Sequence, residues 1–256
     1  MTRPLRAAMR AQLLMSLRDP GDLFPLVLVP FYTVIFLAIM RSAGRSDLLG
    51  SAVLAPVLLN LWYMALVVAG DLVARDRFFQ TIELLVATPT PYAVVGVGRV
   101  LATTLLSLVA FVEAWLVARF GFDYAIQVHH SVLFAVTLTL TAVATVGTAV
   151  VMAAVFVVGR TPRMLQNSLS YPIYVLGGVL TPVSLLPWWL QAPARLLYLS
   201  WAADLLRDCL QAAPPRDVGV RLLVIAGLGI ASLAIGLLLT SRVIDRLRRR
   251  GALGLT

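Results

Sequence analysis

Six apolar runs, near residues 23–40, 51–72, 93–118, 131–158, 165–181 and 218–241, leave this chain few folds to choose from. A helix crossing the roughly 30 Å hydrocarbon core needs about 20 residues at about 1.5 Å each, and every run comes close. Lipid offers backbone N–H and C=O groups no partners, so each run must pair its own, as a helix does. With 60% hydrophobic and 13% charged residues and a mean hydropathy of +0.91, the usage is far from that of a soluble domain. The expected fold is all-α and integral to the membrane: six transmembrane helices in one domain, residues 1–256, with no repeat, low-complexity tract or dividing linker. Pro25 and Pro30 in the first run and Pro56 in the second are tolerated where neighbouring helices resupply the lost bonds.

The net charge of +9 comes entirely from arginine, since the chain has no lysine. In a membrane chain such an excess marks orientation rather than affinity for nucleic acid. With the amino terminus inside, the inner segments hold Arg3, Arg6, Arg10, Arg18, Arg75, Arg77, Arg99, Arg160, Arg163, Arg242, Arg246, Arg248, Arg249 and Arg250, fourteen of the 21. The outer segments hold Arg41, Arg45, Arg119, Arg195, Arg207, Arg216 and Arg221, and Asp204, Asp208 and Asp217 offset the last four. Both termini are therefore expected to be cytoplasmic. The first apolar run begins only near Leu23, after four arginines, which argues against a cleaved signal peptide.

Three segments between the runs carry further information. Residues 3–18 set Leu5, Met9, Leu13 and Leu17 at steps of four with Arg3, Arg6 and Arg10 elsewhere, an interfacial helix suited to anionic membrane lipids. Residues 71–91, DLVARDRFFQTIELLVATPTP, carry Asp71, Arg75, Asp76, Arg77 and Glu83 and must leave the bilayer. Within them residues 81–88 form a short amphipathic segment that Pro89 and Pro91 stop, a form suited to docking a partner. Residues 182–213 are apolar, yet Pro187 and Pro193 break them into pieces too short to cross. Two short helices re-entering the outer leaflet satisfy that pattern, with Trp188, Trp189, Tyr198 and Trp201 as interface anchors. An ordinary outer loop with belt aromatics is the alternative. The one cysteine, Cys209, cannot close an internal disulfide and reads as a small buried or interfacial residue.

Catalytic chemistry finds no support. There is no G-x-x-x-x-G-K-[ST] loop to cradle phosphates, no G-x-S-x-G, and only Asp123 near the adjacent His129 and His130, too little for a metal site. The polar groups inside spans are the candidates for a substrate path. Asn60 lies deep and needs a partner; Glu113 lies toward the outer end of the third span. Thr137, Thr141, Thr145 and Thr148 share a face of the fourth, which either lines a polar path or lets two helices approach, as Ser232 and Gly236 would in the last. Arg99 can snorkel inward.

The stretch TIELLVATP resembles the first cytoplasmic loop of ABC-2 type transporter permeases, commonly an acidic residue followed by G-T-[LI]-E-x-L-L-x-[ST]-P. Gly178, Pro182, Leu186, Pro187, Trp189, Leu190 and Arg207 stand where the same family has G-x-x-x-P, L-P-x-W-L and a closing short helix ending in arginine. Gln80 replaces a frequent glycine, Arg75-Asp76-Arg77 a more acidic run, and Leu199-Ser200 a frequent Asn-Pro. The resemblance implies an export permease of a bacterial-type plasma membrane, paired with a second copy or paralogue and with a separate ATPase dimer that holds ATP and Mg. It makes residues 81–88 the coupling helix, with Arg75, Arg77, Thr81, Ile82, Glu83, Leu84, Leu85 and Thr88 facing the ATPase. The permease itself would bind no cofactor. The opening RDPGDLFPLVLVP is more similar to drug and natural-product exporters than to polysaccharide exporters, so the expected cargo is a lipophilic drug, natural product or lipid-linked molecule. A polysaccharide or glycolipid exporter, an ATP-independent secondary transporter and a scaffold without transport are the alternatives.

The topology has a direct test. In a Cys209→Ser background, a Glu83→Cys variant is expected to react with a membrane-impermeant maleimide only after intact cells are permeabilised. Labelling from outside would place the docking segment on the wrong face.

Overall fold

A computed structural model describes residues 2–68, 92–158 and 162–249, and among them the regular structure is entirely helical. The helices are α1 (Thr2–Arg18), α2 (Pro20–Ser42), α3 (Leu49–Tyr63), α4 (Tyr92–Ser107), α5 (Val109–Leu116), α6 (Ser131–Val158), α7 (Pro162–Leu176), α8 (Trp188–Ala194), α9 (Tyr198–Asp208) and α10 (Val218–Arg249). One π-helical turn continues α3 (Met64–Val68) and another continues α5 (Val117–Gly121). Residues 71–91, with the segment 81–88 expected to dock a partner, lie outside the described residues.

Five stretches are long and apolar enough to cross a membrane: Pro20–Ser42, Ser46–Leu66, Val94–Gly121, Ser131–Phe156 and Val218–Arg242. The run near 165–181 yields a helix of 15 residues, about 22 Å long and short of the core thickness. Its carboxyl end is set by Gly177 and Gly178. Gly178 has φ +66, a left-handed cap that a residue with a side chain adopts only at a cost.

The third helix is the centre. It is apolar on all sides, the pattern of a helix surrounded by others, and 67% of its stretch is buried against 17% for α10. Leu58, Leu61 and Trp62 belong to a core with Leu199, Leu205, Leu206 and Ile225 of α9 and α10. Val53, Val57 and Met64 join Val29 and Leu37 of α2 and Ala110 and Ala114 of α5. Ala65 meets Val100 of α4 and Val146 and Val150 of α6.

Where the hydrophobic effect no longer distinguishes neighbour from lipid, helices adhere through close backbone approach. The α6–α10 pair does this with glycine. A Cβ at Gly147 would lie 2.5 Å from the Gly229 carbonyl oxygen, one at Gly229 2.8 Å from Ala144 Cα, and one at Gly236 2.8 Å from the Val151 nitrogen. The first helix packs along α4 in the same way, and a Cβ at Gly98 would lie 2.9 Å from the Leu5 carbonyl. Its most buried face is Ala8, Gln12 and Ser16, with Leu5, Met9 and Leu13 at the margin and Leu17 exposed. The apolar stripe expected from the sequence therefore flanks the contact, because a small and polar face permits closer approach than leucines do.

Gly147→Val is expected to destabilise the protein by about 1–3 kcal/mol, read as a lowered melting temperature in detergent. Gly227→Ala, where a Cβ meets open space, should raise it slightly, a helix gaining about 0.5–1 kcal/mol from that exchange.

Candidate functional site

Each of α2, α3 and α7 carries internal proline: Pro25 and Pro30, Pro56, and Pro172. Proline lacks the N–H that would bond one turn back and its ring pushes that carbonyl aside, so a helix bends and opens there. Between these three helices lies a cleft of about 620 Å³. Pro25, Val29, Tyr32 and Phe36 line it from α2, Pro56, Asn60 and Tyr63 from α3, and Ser170, Tyr171, Tyr174 and Leu180 from α7 and its end. None of the described residues lining it is charged. The rings pair with one another: Tyr32 and Phe36 are 6.5 Å apart and stacked, Tyr171 and Tyr174 6.3 Å apart and edge to face.

Asn60 is the polar landmark. It is 4% exposed and its Nδ2 donates to the Ser107 carbonyl at 3.3 Å, while Oδ1 has no hydrogen-bond partner. A buried amide oxygen without a donor costs about 1–3 kcal/mol, a penalty that a bound molecule with a donor would remove. Glu113, half-buried on α5, does not line the cleft.

The threonine face also lies elsewhere. Thr137, Thr141 and Thr145 are fully buried. The Thr141 and Thr145 hydroxyls donate to the carbonyls one turn back at 2.6 and 2.7 Å, and Thr148 donates to the Thr145 carbonyl at 2.9 Å. Thr145 also meets the Tyr198 hydroxyl at 2.8 Å, which joins α6 to α9. This face sits against other helices, and none of its residues lines the cleft.

One end of the cleft is held by Arg207. The carbonyls just past a helix end lack intrahelical partners, and a cation there satisfies them and suits the helix dipole. Arg207 Nη2 donates to the Gly178 carbonyl and, at 2.7 Å, to that of Val179, next to the cleft residue Leu180. Asp204 balances the charge: it lies 3.5 Å from Arg207 Nη1 and 2.9 Å from Arg195 Nη1. The Arg195 guanidinium stacks 4.8 Å above Trp201, whose indole N–H donates to the Arg195 carbonyl at 2.9 Å. Pro182 and Pro187 precede the short helical turn Val183–Leu185 and α8 as their caps, and Trp189 is 60% exposed.

The surrounding rim is tied shut. Arg221 donates to Asp208, and His129 and His130 lie 3.0 and 3.3 Å from the carbonyls of Leu210 and Ala213. Among the described residues no group of three metal-ligating side chains forms. Cys209 is fully buried, and desolvation first, then Asp208, pushes its pKa up to about 11.

Sequence reasoning named Asn60 but missed Tyr32, Tyr63, Tyr171 and Tyr174. The available signal was tyrosine recurring in the three proline-bearing runs alone: among spans, α4, α5, α6 and α10 hold neither internal proline nor a cleft residue.

The model of the ABC-2 type transporter family matches residues 4–210, and the chain belongs to that family. It is a membrane permease, a transport subunit rather than a catalytic domain, in a family whose members generally partner with an ABC ATPase subunit, often as a dimer. None of the curated proteins matches it.

Arg207→Met should cost about 3–5 kcal/mol, because it leaves Asp204 short of a partner and two carbonyls without donors, and should lower the melting temperature of the purified protein. Cys209 should resist alkylation at neutral pH in the folded protein and react once it is unfolded, since the thiolate is the reactive form.

Proposed function

We propose that the chain is the permease subunit of an ATP-driven exporter and that its cargo, an uncharged lipophilic molecule such as a drug, a natural product or the tail of a lipid-linked compound, occupies the cleft between α2, α3 and α7. The observation that carries this reading is the lining itself: aromatic rings without a charge, and one buried amide oxygen in need of a donor. Pockets that take small apolar ligands have this composition, many rings and a few placed polar atoms.

The finer architecture follows the family. Counting α7 as a shortened fifth crossing, completed by α8 and α9 dipping back into the outer leaflet, gives six spans with both termini cytoplasmic. The arginine count supports that orientation, because fourteen of the 21 fall in the inner segments. Residues 81–88 receive the motion of a separate ATPase, which holds ATP and Mg, through Glu83, Leu84 and their neighbours, and a second permease copy or paralogue completes the transporter.

Purification of the tagged chain from its native membrane should bring down a nucleotide-binding subunit. In vesicles holding that complex, with N-phenyl-1-naphthylamine as an uncharged aromatic probe, Asn60→Leu and Tyr174→Ala are expected to raise the KM for the probe roughly tenfold, about 1.4 kcal/mol of lost contact. Unchanged KM values for both variants would remove the cleft from the path. Reversing the character of Glu83 and Leu84 should abolish probe-stimulated ATP turnover.

A further inference from the structure

Four buried polar residues belong neither to the cleft nor to the Arg207 staple. Gln12 and Ser16 of α1 and Asp22 in the first turn of α2 are each 1% exposed, and Arg99 of α4 is 7% exposed. Arg99 Nε donates to Gln12 Oε1 at 2.9 Å, Gln12 Nε2 to Ser16 Oγ at 3.0 Å, and Ser16 Oγ to Asp22 Oδ2 at 3.0 Å. A guanidinium has only donors, so the amide must turn its oxygen to Arg99 and its NH2 to Ser16. The serine proton is then committed to Asp22. The row has one consistent arrangement across three helices.

We propose that this row is the mechanical link between α4 and the wall of the cleft, with Gln12 as its positioning residue. On one side, Gln12 bonds to Arg99 one turn beyond the close α1–α4 approach, where a Cβ at Gly98 would lie 3.1 Å from Ala8 Cβ, so α1 follows α4. On the other, Asp22 lies one turn before Pro25, the first cleft residue of α2. The Ser16–Asp22 bond braces the corner at Asp19, whose side chain caps the Gly21 N–H at 2.9 Å. Displacement of the amino-terminal end of α4 thereby reaches α2 with no contact to cargo. Apolar side chains would hold α1 against α4 without desolvating a guanidinium and a carboxylate; what the polar row adds is a fixed register between helices. The inference rests on the proposed transport through the cleft.

The test uses vesicles holding the full chain with its copurified ATPase subunit and N-phenyl-1-naphthylamine as the transported probe. Gln12→Leu keeps the volume and removes both amide bonds. It should lower the maximal transport rate and the probe-stimulated part of ATP turnover at least tenfold, leaving the KM for the probe and basal turnover within twofold of the parent. Ser16→Ala, which adds no bulk, should lower the same rates by a smaller factor, and Gln12→Glu, which keeps an acceptor for Arg99, should recover at least half of the rate that Gln12→Leu loses. The proposal is overturned by a change in KM with an unaltered maximal rate, by losses that merely track the amount of folded protein, or by no effect of Ser16→Ala. Failure of the cleft reading looks different: the Asn60 and Tyr174 variants would keep the parent KM, whereas the link is judged on maximal rate alone. A parent complex that does not move the probe overturns both.

Discussion

A polar atom inside a bilayer has no water to bind, so it must find its partner within the protein. That constraint accounts for the placement of nearly every polar side chain described above. Thr141, Thr145 and Thr148 of α6 bond to carbonyls of their own helix. Arg207 satisfies the carbonyls beyond α7, and Arg99 reaches Asp22 through two neutral intermediaries. Buried atoms without a hydrogen-bond partner occur on Asn60, Trp62, Thr104, Glu113 and Thr137, but of these residues only Asn60 lines the cleft. Exceptions to hydrogen-bond satisfaction inside folded proteins call for a specific explanation, and a ligand with a donor is the most economical one.

Glycine and proline mark different helices of the bundle. Glycines 147, 229 and 236 let the backbones of α6 and α10 touch, leaving no room for anything between them. Prolines 25, 56 and 172 each take a main-chain donor from α2, α3 and α7, and the cleft lies between those helices. Both residues are usually said to weaken helices. In lipid, small residues permit adhesion and neighbouring helices resupply the bonds that proline loses.

Much of this was legible in the sequence, for reasons that also explain what was not. Run length identified the helices because lipid thickness fixes it, yet it did not locate the end of the helix near 165–181, where composition stays apolar past Gly178 while the backbone has already turned. The four-residue spacing of Thr137, Thr141 and Thr145 located a buried face without saying what buries it; Tyr198, 53 residues after Thr145, is a contact that no local pattern encodes. Leu5, Met9, Leu13 and Leu17 suggested a helix resting on lipid, whereas the informative face was Ala8, Gln12 and Ser16, whose meaning depends on Arg99. Asn60 stood out because an amide among aliphatics is conspicuous. The tyrosines did not, because tyrosine near a span end ordinarily marks only the interface. The docking segment remains a matter of sequence and family, since it lies outside the described residues.

Under the proposed transport through the cleft, the distribution of charge favours a neutral cargo whatever the cleft's shape. Ionised groups are gathered near the two ends of the bundle, Arg207 with Asp204 and Arg195 at one and Arg99 with its row to Asp22 at the other, and each is already matched by an opposite charge, a carbonyl or a hydroxyl. Between them the lining holds no charge at all. An ion entering that space would lose its hydration and gain no counter-charge, a penalty of several kcal/mol even after relaxation. An uncharged molecule with an aromatic surface would lose little, and would meet four tyrosines and Asn60. The selectivity this implies requires no recognition of fine chemical detail, only that the cargo be neutral at the moment it enters.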